Sequence, residues 1–192
     1  DDDIVLDTDY TVEYEDNTEV GTGKVIVTGI GDYTGTVEYE FSIIGIDIRN
    51  HITGIEYDTV EYDGTEFEPT VIDDGTVTLD TDYTVTYIGN VNVGIATVTI
   101  NGIGHYADAV SYTFSITAAD IASHITGIDP DTLEYTGTAL TPAVVDDGTV
   151  TLNTDYNVEY EDNVTPGTGK VIVTGTGNYT GSADFEFTIT ND

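Results

Sequence analysis

A string of the form Asp-Tyr-x-Val-x-Tyr occurs three times, each copy followed by an Asn or Gly loop, a β-branched run, Gly-x-Gly, Tyr and a closing Phe-x-Ile. The copies run from Asp9 to Ile43, Asp82 to Ile116 and Asp155 to Ile189. Tyr10, Tyr83 and Tyr156 are evenly spaced by 73 residues, with nothing inserted or lost. Such a chain is expected to be a short array of one unit, and its function that of an array. Residues 1–43 read as the C-terminal part of a unit, 44–50 as a link and 51–116 as a complete unit. Residues 117–123 read as a second link and 124–189 as a third unit, with a stub beyond. The start in mid-unit reads as a segment of something longer. Neither link is a Ser/Gly/Pro-rich spacer, so neighbouring units are expected to touch.

Inside a unit the apolar period is two. Tyr83, Val85 and Tyr87 alternate with Thr84 and Thr86. Val110, Tyr112, Phe114 and Ile116 alternate with Ser111, Thr113 and Ser115. Thr, Val, Ile and Tyr suit a pleated, half-buried surface. No 11-residue window carries a helical stripe, so no helix is expected. Strands are predicted near 52–56, 59–62, 68–72, 76–79, 83–88, 94–101 and 107–116. Asp73-Asp74-Gly75 and Asp146-Asp147-Gly148 read as tight turns. Short strands with regular turns predict an all-β fold, a row of small β-sandwich units.

The charge narrows the partners. Thirty-seven Asp and Glu stand against three Lys and Arg, a formal net charge of −34. Nucleic acid is excluded, because phosphate binding needs clustered Lys and Arg. An anionic membrane surface is disfavoured for the same reason, and no apolar run reaches membrane-spanning length. Fourteen Tyr and five Phe in an alternating pattern separate this chain from acidic disordered segments. With no Cys, disulfides and thiolate metal sites are impossible.

Tyr135-Thr-Gly137, Pro142, Val144, Asp147-Gly148, Leu152, Thr154-Asp-Tyr156, Val158, Tyr160, Asn163, Gly167, Val171, Gly175-Thr-Gly177, Tyr179, Gly181 and Phe187-Thr-Ile189 form one ordered string. It resembles the immunoglobulin-like tandem repeats of bacterial cell-surface and cell-wall proteins. That resemblance covers essentially the whole chain. It implies an extracellular, cell-surface β-sandwich module used in stalks, filaments and adhesins, without catalysis. Relatives of this kind are often rich in Lys; here those positions are acidic or Thr.

The polar residues fit that expectation. Nearly every candidate recurs at the same place in each unit, whereas a catalytic centre is built from residues that break a pattern, so no enzyme is expected. His51 and His124 each open a unit and read as packed or hydrogen-bonded. His105 reads as an exposed loop residue. No Ser sits in a nucleophile elbow, and the Gly-x-Gly strings lack the helix of a dinucleotide site. The second unit has Thr97 where Lys24 and Lys170 stand, and there is no Gln. No isopeptide or ester staple is therefore expected.

Calcium is the ligand chemistry the composition favours, since hard cations take several carboxylate and carbonyl oxygens. The candidate ligands are Asp73, Asp74, Asp80 and Asp82, and their counterparts Asp146, Asp147 and Asp155. Asp1 to Asp3, Asp7 and Asp9 occupy the equivalent place in the first unit. Asp47 and Asp120, in the links, could bind a cation that stiffens the joint. The competing reading is a solvated acidic surface, and Asn153 in place of Asp80 favours it. Tyr33, Tyr106 and Tyr179, beside glycine turns, read as core or corner residues rather than sugar-stacking ones. Expected partners are copies of the chain itself, or a surface glycan or protein bound through loops such as Asn90 to Gly94 and His105 to Asp108.

Overall fold

A computed structural model describes residues 3–191; Asp1 and Asp2, among the expected cation ligands, lie outside the described residues. The fold is all-β. The only helical pieces among the described residues are two three-residue 3-10 turns, Ile48–Asn50 and Ile121–Ser123. The chain forms two compact units. One comprises the residues up to Glu56, with Pro69–Tyr87 and Val98–Tyr112. The other comprises Tyr57–Glu68, Ile88–Thr97 and Thr113 onward. Strands Tyr83–Ile88, Gly94–Gly102 and Ala109–Thr117 each contribute residues to both.

The first unit contains an antiparallel sheet in the order Tyr10–Glu15, Gly21–Gly29, Thr36–Ile43. Its register runs Tyr10↔Gly29 and Gly21↔Ile43. It also holds an antiparallel pair, Ile52–Ile55 with Val71–Asp73, and a parallel pair, Ile46–Asp47 with Tyr106–Ala107.

The second unit contains a four-stranded sheet in the order Thr132–Glu134, Ser182–Thr190, Gly167–Gly175, Tyr156–Glu161. The first pairing is parallel and the others antiparallel. A second layer of strands, Ile125–Asp129 and Ala143–Asp146, contributes to the same core. Ile121, Ile125, Leu140 and Val150 from outside the sheet bury against Tyr156, Val171, Val173, Phe187 and Ile189 from within it. Alternation explains the sorting. Along Gly167–Gly175, residues 169, 171 and 173 face in, and register places Gly169 opposite Phe187. The Phe187 ring lies across Gly169, where an added Cβ would be 2.5 Å from a ring carbon. Glycine here is a packing choice: the aromatic ring supplies the bulk its strand neighbour lacks.

Four expectations need correction. Residues 76–79 are not a strand. Beyond the Gly75 turn, Thr78 N–H bonds to the Asp82 carboxylate (2.8 Å), Asp80 takes a left-handed φ of 64°, and only an isolated bridge joins Leu79 to Tyr83. The strand predicted at 68–72 is Val71–Asp73, because Pro69 has no N–H to give to a ladder. The strand predicted at 107–116 is two strands, Tyr106–Ala107 and Ala109–Thr117, broken at Asp108 by a φ of 65°. The segments read as links are not simple connectors. Ile46–Asp47 pairs with Tyr106–Ala107 and Ala119–Asp120 with Tyr179–Thr180, and Ile48 and Ile121 are fully buried.

Candidate functional site

The aspartates expected to bind a cation form turns. Asp73 Oδ1 accepts from Gly75 N–H (2.8 Å) and its Oδ2 from the Tyr83 hydroxyl (3.2 Å). Asp74 Oδ1 accepts from the N–H and hydroxyl of Thr76, and its Oδ2 lies 3.0 Å from His51 Nδ1. The same set recurs in the other unit. Asp146 takes Gly148 N–H (2.8 Å) and the Tyr156 hydroxyl (2.9 Å). Asp147 takes the N–H and hydroxyl of Thr149 and sits 2.9 Å from His124 Nδ1. This follows from sequence: Asp-Asp-Gly-Thr offers two carboxylates to the N–H groups two residues on, with Gly75 and Gly148 at φ near 80°.

The remaining candidates do similar work. Asp82 and Asp155 accept from the N–H groups of Thr78 and Thr151 (2.8 and 2.9 Å), as Asp9 does from Val5 (2.8 Å). Asp7, Asp80 and Asn153 share a left-handed φ of 64–66°. Asp and Asn tolerate that conformation best among residues with side chains, which explains Asn153 without reference to a ligand. Asp47 and Asp120 cap the two 3-10 turns through the N–H groups of Arg49 and Ala122, each at 3.0 Å. Arg49 adds ion pairs to Asp47 (2.8 Å) and Asp108 (3.3 Å). Among the described residues, no three His, Asp or Glu side chains converge to hold a metal ion.

The histidines stand between these turns and a tyrosine. His51 packs edge-on to Tyr106 and His124 to Tyr179, both with ring centroids 5.3 Å apart. Tyr179 also meets Tyr62 edge-on at 5.5 Å. Beside it, Asn178 Oδ1 accepts from Val93 N–H and its Nδ2 donates to Asn92 Oδ1, both at 2.9 Å. Loop 89–94 is thus tied to the loop before Tyr179. His105, at the position matching Asn178, lies 4.0 Å from Glu19, at the position matching Asn92. Residue spacing carried no hint of these contacts, although Asn92 and Asn178 on one side and Glu19 and His105 on the other are matched substitutions.

Asn163 and Asn178 open Asn-Val-Thr and Asn-Tyr-Thr strings of the glycosylation-acceptor form, and both side chains make structural contacts. Asn163 Nδ2 donates to Leu140 C=O (2.9 Å), and Asn178 is engaged as above. Asn90 Nδ2 likewise donates to Phe67 C=O (3.2 Å). Lys24 and Lys170 pair across strands with Glu38 (3.0 Å) and Asp184 (2.6 Å). Tyr33 stays exposed, Tyr106 is half-buried against His51, and Tyr179 is half-buried against His124 and packs on the second unit's core.

Hydrogen bonds from Thr149, with His124 adjacent, hold the Asp147 carboxyl down at about 2, against an ordinary 3.8. Burial, reinforced by the bond to Asp146, pushes the Tyr156 phenol up from 10.0 to about 12. The lowered carboxyl contributes stability above pH 3.8 that is lost as pH falls towards 2. The raised phenol contributes stability below pH 10 that is lost as pH rises towards 12. Denaturant midpoints measured across pH are expected to fall in both windows. Tyr156→Phe is expected to shrink the alkaline loss and leave the acid one in place.

No protein-family profile matches this chain, and no curated protein resembles it significantly.

Proposed function

We propose that this chain is a non-catalytic segment of an extracellular, cell-surface stalk or filament, built from immunoglobulin-like β-sandwich modules repeating every 73 residues. One observation carries the reading. Near the start of a module a short strand pairs in parallel with the last strand: Thr59–Glu61 with Ser115–Thr117, and Thr132–Glu134 with Thr188–Thr190. Tension along the chain pulls two parallel neighbours in opposite senses, so their hydrogen bonds are loaded together in shear rather than peeled singly. The bonds tying Asn92 and Val93 to Asn178, and the Tyr62–Tyr179 contact, support direct joints between successive modules. The aspartates, histidines and asparagines that chemistry would need are occupied with turns and joints.

Pulling the chain by its ends is the direct test. Separate unfolding events are expected, each complete module releasing roughly 240–260 Å of chain, at about 3.3–3.6 Å per residue. One undivided event would overturn the modular reading, and clear hits on a glycan array would favour an adhesin. The joint has its own measurement. In a double-mutant cycle, Asn92→Ala and Asn178→Ala are expected to couple by about 0.5–1.5 kcal/mol, the net worth of a hydrogen bond.

Cations stiffen this segment by screening its −34 charge. Thermal midpoints are expected to rise equally in NaCl, MgCl2 and CaCl2 at matched ionic strength. A rise with calcium alone, reversed by EDTA, would instead reveal a specific site.

A further inference from the structure

Two of the three copies carry a charged row across their sheet. Register sets Glu15 opposite Lys24 and Lys24 opposite Glu40, and in the same way Glu161 opposite Lys170 and Lys170 opposite Glu186. The middle copy has none of these charges: Ile88, Thr97 and Thr113 stand at the matching positions. Ile95 stands where the others have Thr22 and Thr168. The same exchange continues along the strands, with Thr86 in place of Glu13 and Glu159, and Ser111 in place of Glu38 and Asp184.

Alternation puts the exchanged residues on the outward side. Ala96, Val98, Phe114 and Ile116 are buried, and Ile95, Thr97, Thr113 and Ser115 take the opposite side of the same strands. Ile88 is 69% exposed and Ile95 74%. The backbone beside Ile88 runs close to Ile95: a Cβ added at Gly89 would be 3.4 Å from the Ile95 carbonyl oxygen. The two isoleucines thus lie on adjacent strands of one sheet, with threonine and serine around them and no charge among them. Ile88, Ile95, Thr97, Thr113 and Ser115 all belong to the second unit, and the copy that carries them is a complete one.

We propose that this face is where two copies of the chain meet, through a two-fold contact centred on Ile88 and Ile95. Charge selects the partner. At a net charge of −34, two copies repel wherever carboxylates face each other, and on this face none do. Closing the contact strips no hydrated Glu–Lys–Glu row of its water, and it takes two exposed isoleucines of each copy out of water. A two-fold contact presents the same patch from both sides, so one uncharged patch suffices. A neutral glycan is the poorer occupant. Carboxylates do not oppose its approach, so losing them would gain it nothing. The aromatic residues of these strands, Tyr87 and Phe114 among them, alternate to the other side and offer it no ring to stack on. The face holds far fewer than the roughly 20–30 residues a side of a stable interface. A single contact is therefore weak and shows at high protein concentration and in screening salt. The proposal stands whether or not the chain serves as a stalk.

Sedimentation velocity of the intact chain tests it, in about 0.1 M and about 1 M NaCl, where the screening length is roughly 10 and 3 Å. A reversible monomer–dimer equilibrium is expected, stronger in the higher salt. Ile88→Glu, Ile95→Thr and Thr97→Lys together install what both other copies carry, so the fold tolerates them, and they leave the net charge at −34. This triple variant is expected to weaken dimerisation by about tenfold or more at either salt, and Ile95→Thr alone to weaken it less. Ile72→Thr, at an isoleucine 47% exposed on another sheet, is expected to leave it unchanged. A chain that stays monomeric in both salts, equal dimerisation of the triple variant, or an equal loss with Ile72→Thr would overturn the proposal. So would an array of neutral glycans that captures the intact chain and not the triple variant.

Discussion

Phe187→Ala is expected to destabilise the unit that contains it by about 3–5 kcal/mol, the range for removing a fully buried phenylalanine. The ring is 1% exposed and belongs to the cluster of Ile121, Ile125, Leu140, Val150, Tyr156, Val171, Val173 and Ile189. At about 4–8 °C per kcal/mol for a module of this size, the thermal midpoint should fall by tens of degrees. Near-UV circular dichroism of the tyrosines would record it. The glycine beneath the ring gives a sharper version. Gly169→Ala drives a Cβ to 2.5 Å from the ring and should cost about 1–3 kcal/mol by overpacking. In Phe187→Ala that space is empty, so Gly169→Ala should then cost little or stabilise. Strict additivity of the two substitutions would show that the ring does not lie across the glycine.

Ile121→Ala is expected to cost about 2–5 kcal/mol, although it lies in a segment that the sequence presents as a connector. The side chain is fully buried in the second unit's core, and its turn is fixed by the Asp120 carboxylate on Ala122 N–H. Ile95→Ala is the control. It removes the same methyl groups from a side chain 74% exposed and should change stability by no more than about 0.5 kcal/mol. Equal effects at the two positions, measured by urea denaturation, would mean that 117–123 is a linker after all.

The period-two alternation in 83–88, 94–101 and 107–116 was readable because one face of each strand meets a core and the other meets water. The expected strand at 76–79 failed for a local reason. Val77-Thr78-Leu79 alternates like a strand, but the Asp82 carboxylate takes Thr78 N–H and closes a turn instead. The acidic clusters hide their local bonds, because composition counts carboxylates without counting their donors. Asp73, Asp74, Asp146 and Asp147 are each committed to N–H and hydroxyl groups within three residues in sequence, to a tyrosine hydroxyl, or to a histidine. The Asn92–Asn178 and Tyr62–Tyr179 contacts join residues 86 and 117 positions apart. No local pattern marks such pairs.

By itself the sequence determined that the chain is all-β, where most strands and turns lie, and that it carries an acidic, cysteine-free surface. Those properties follow from the nearest neighbours along the backbone: side-chain alternation, Asp-Gly turn chemistry and formal charge. The tertiary structure alone decided that the link residues Ile48 and Ile121 are core and that the histidines buttress tyrosines. Each of those depends on which distant segment folds back to exclude water, and burial is a property of the assembled surface that no short stretch of chain encodes.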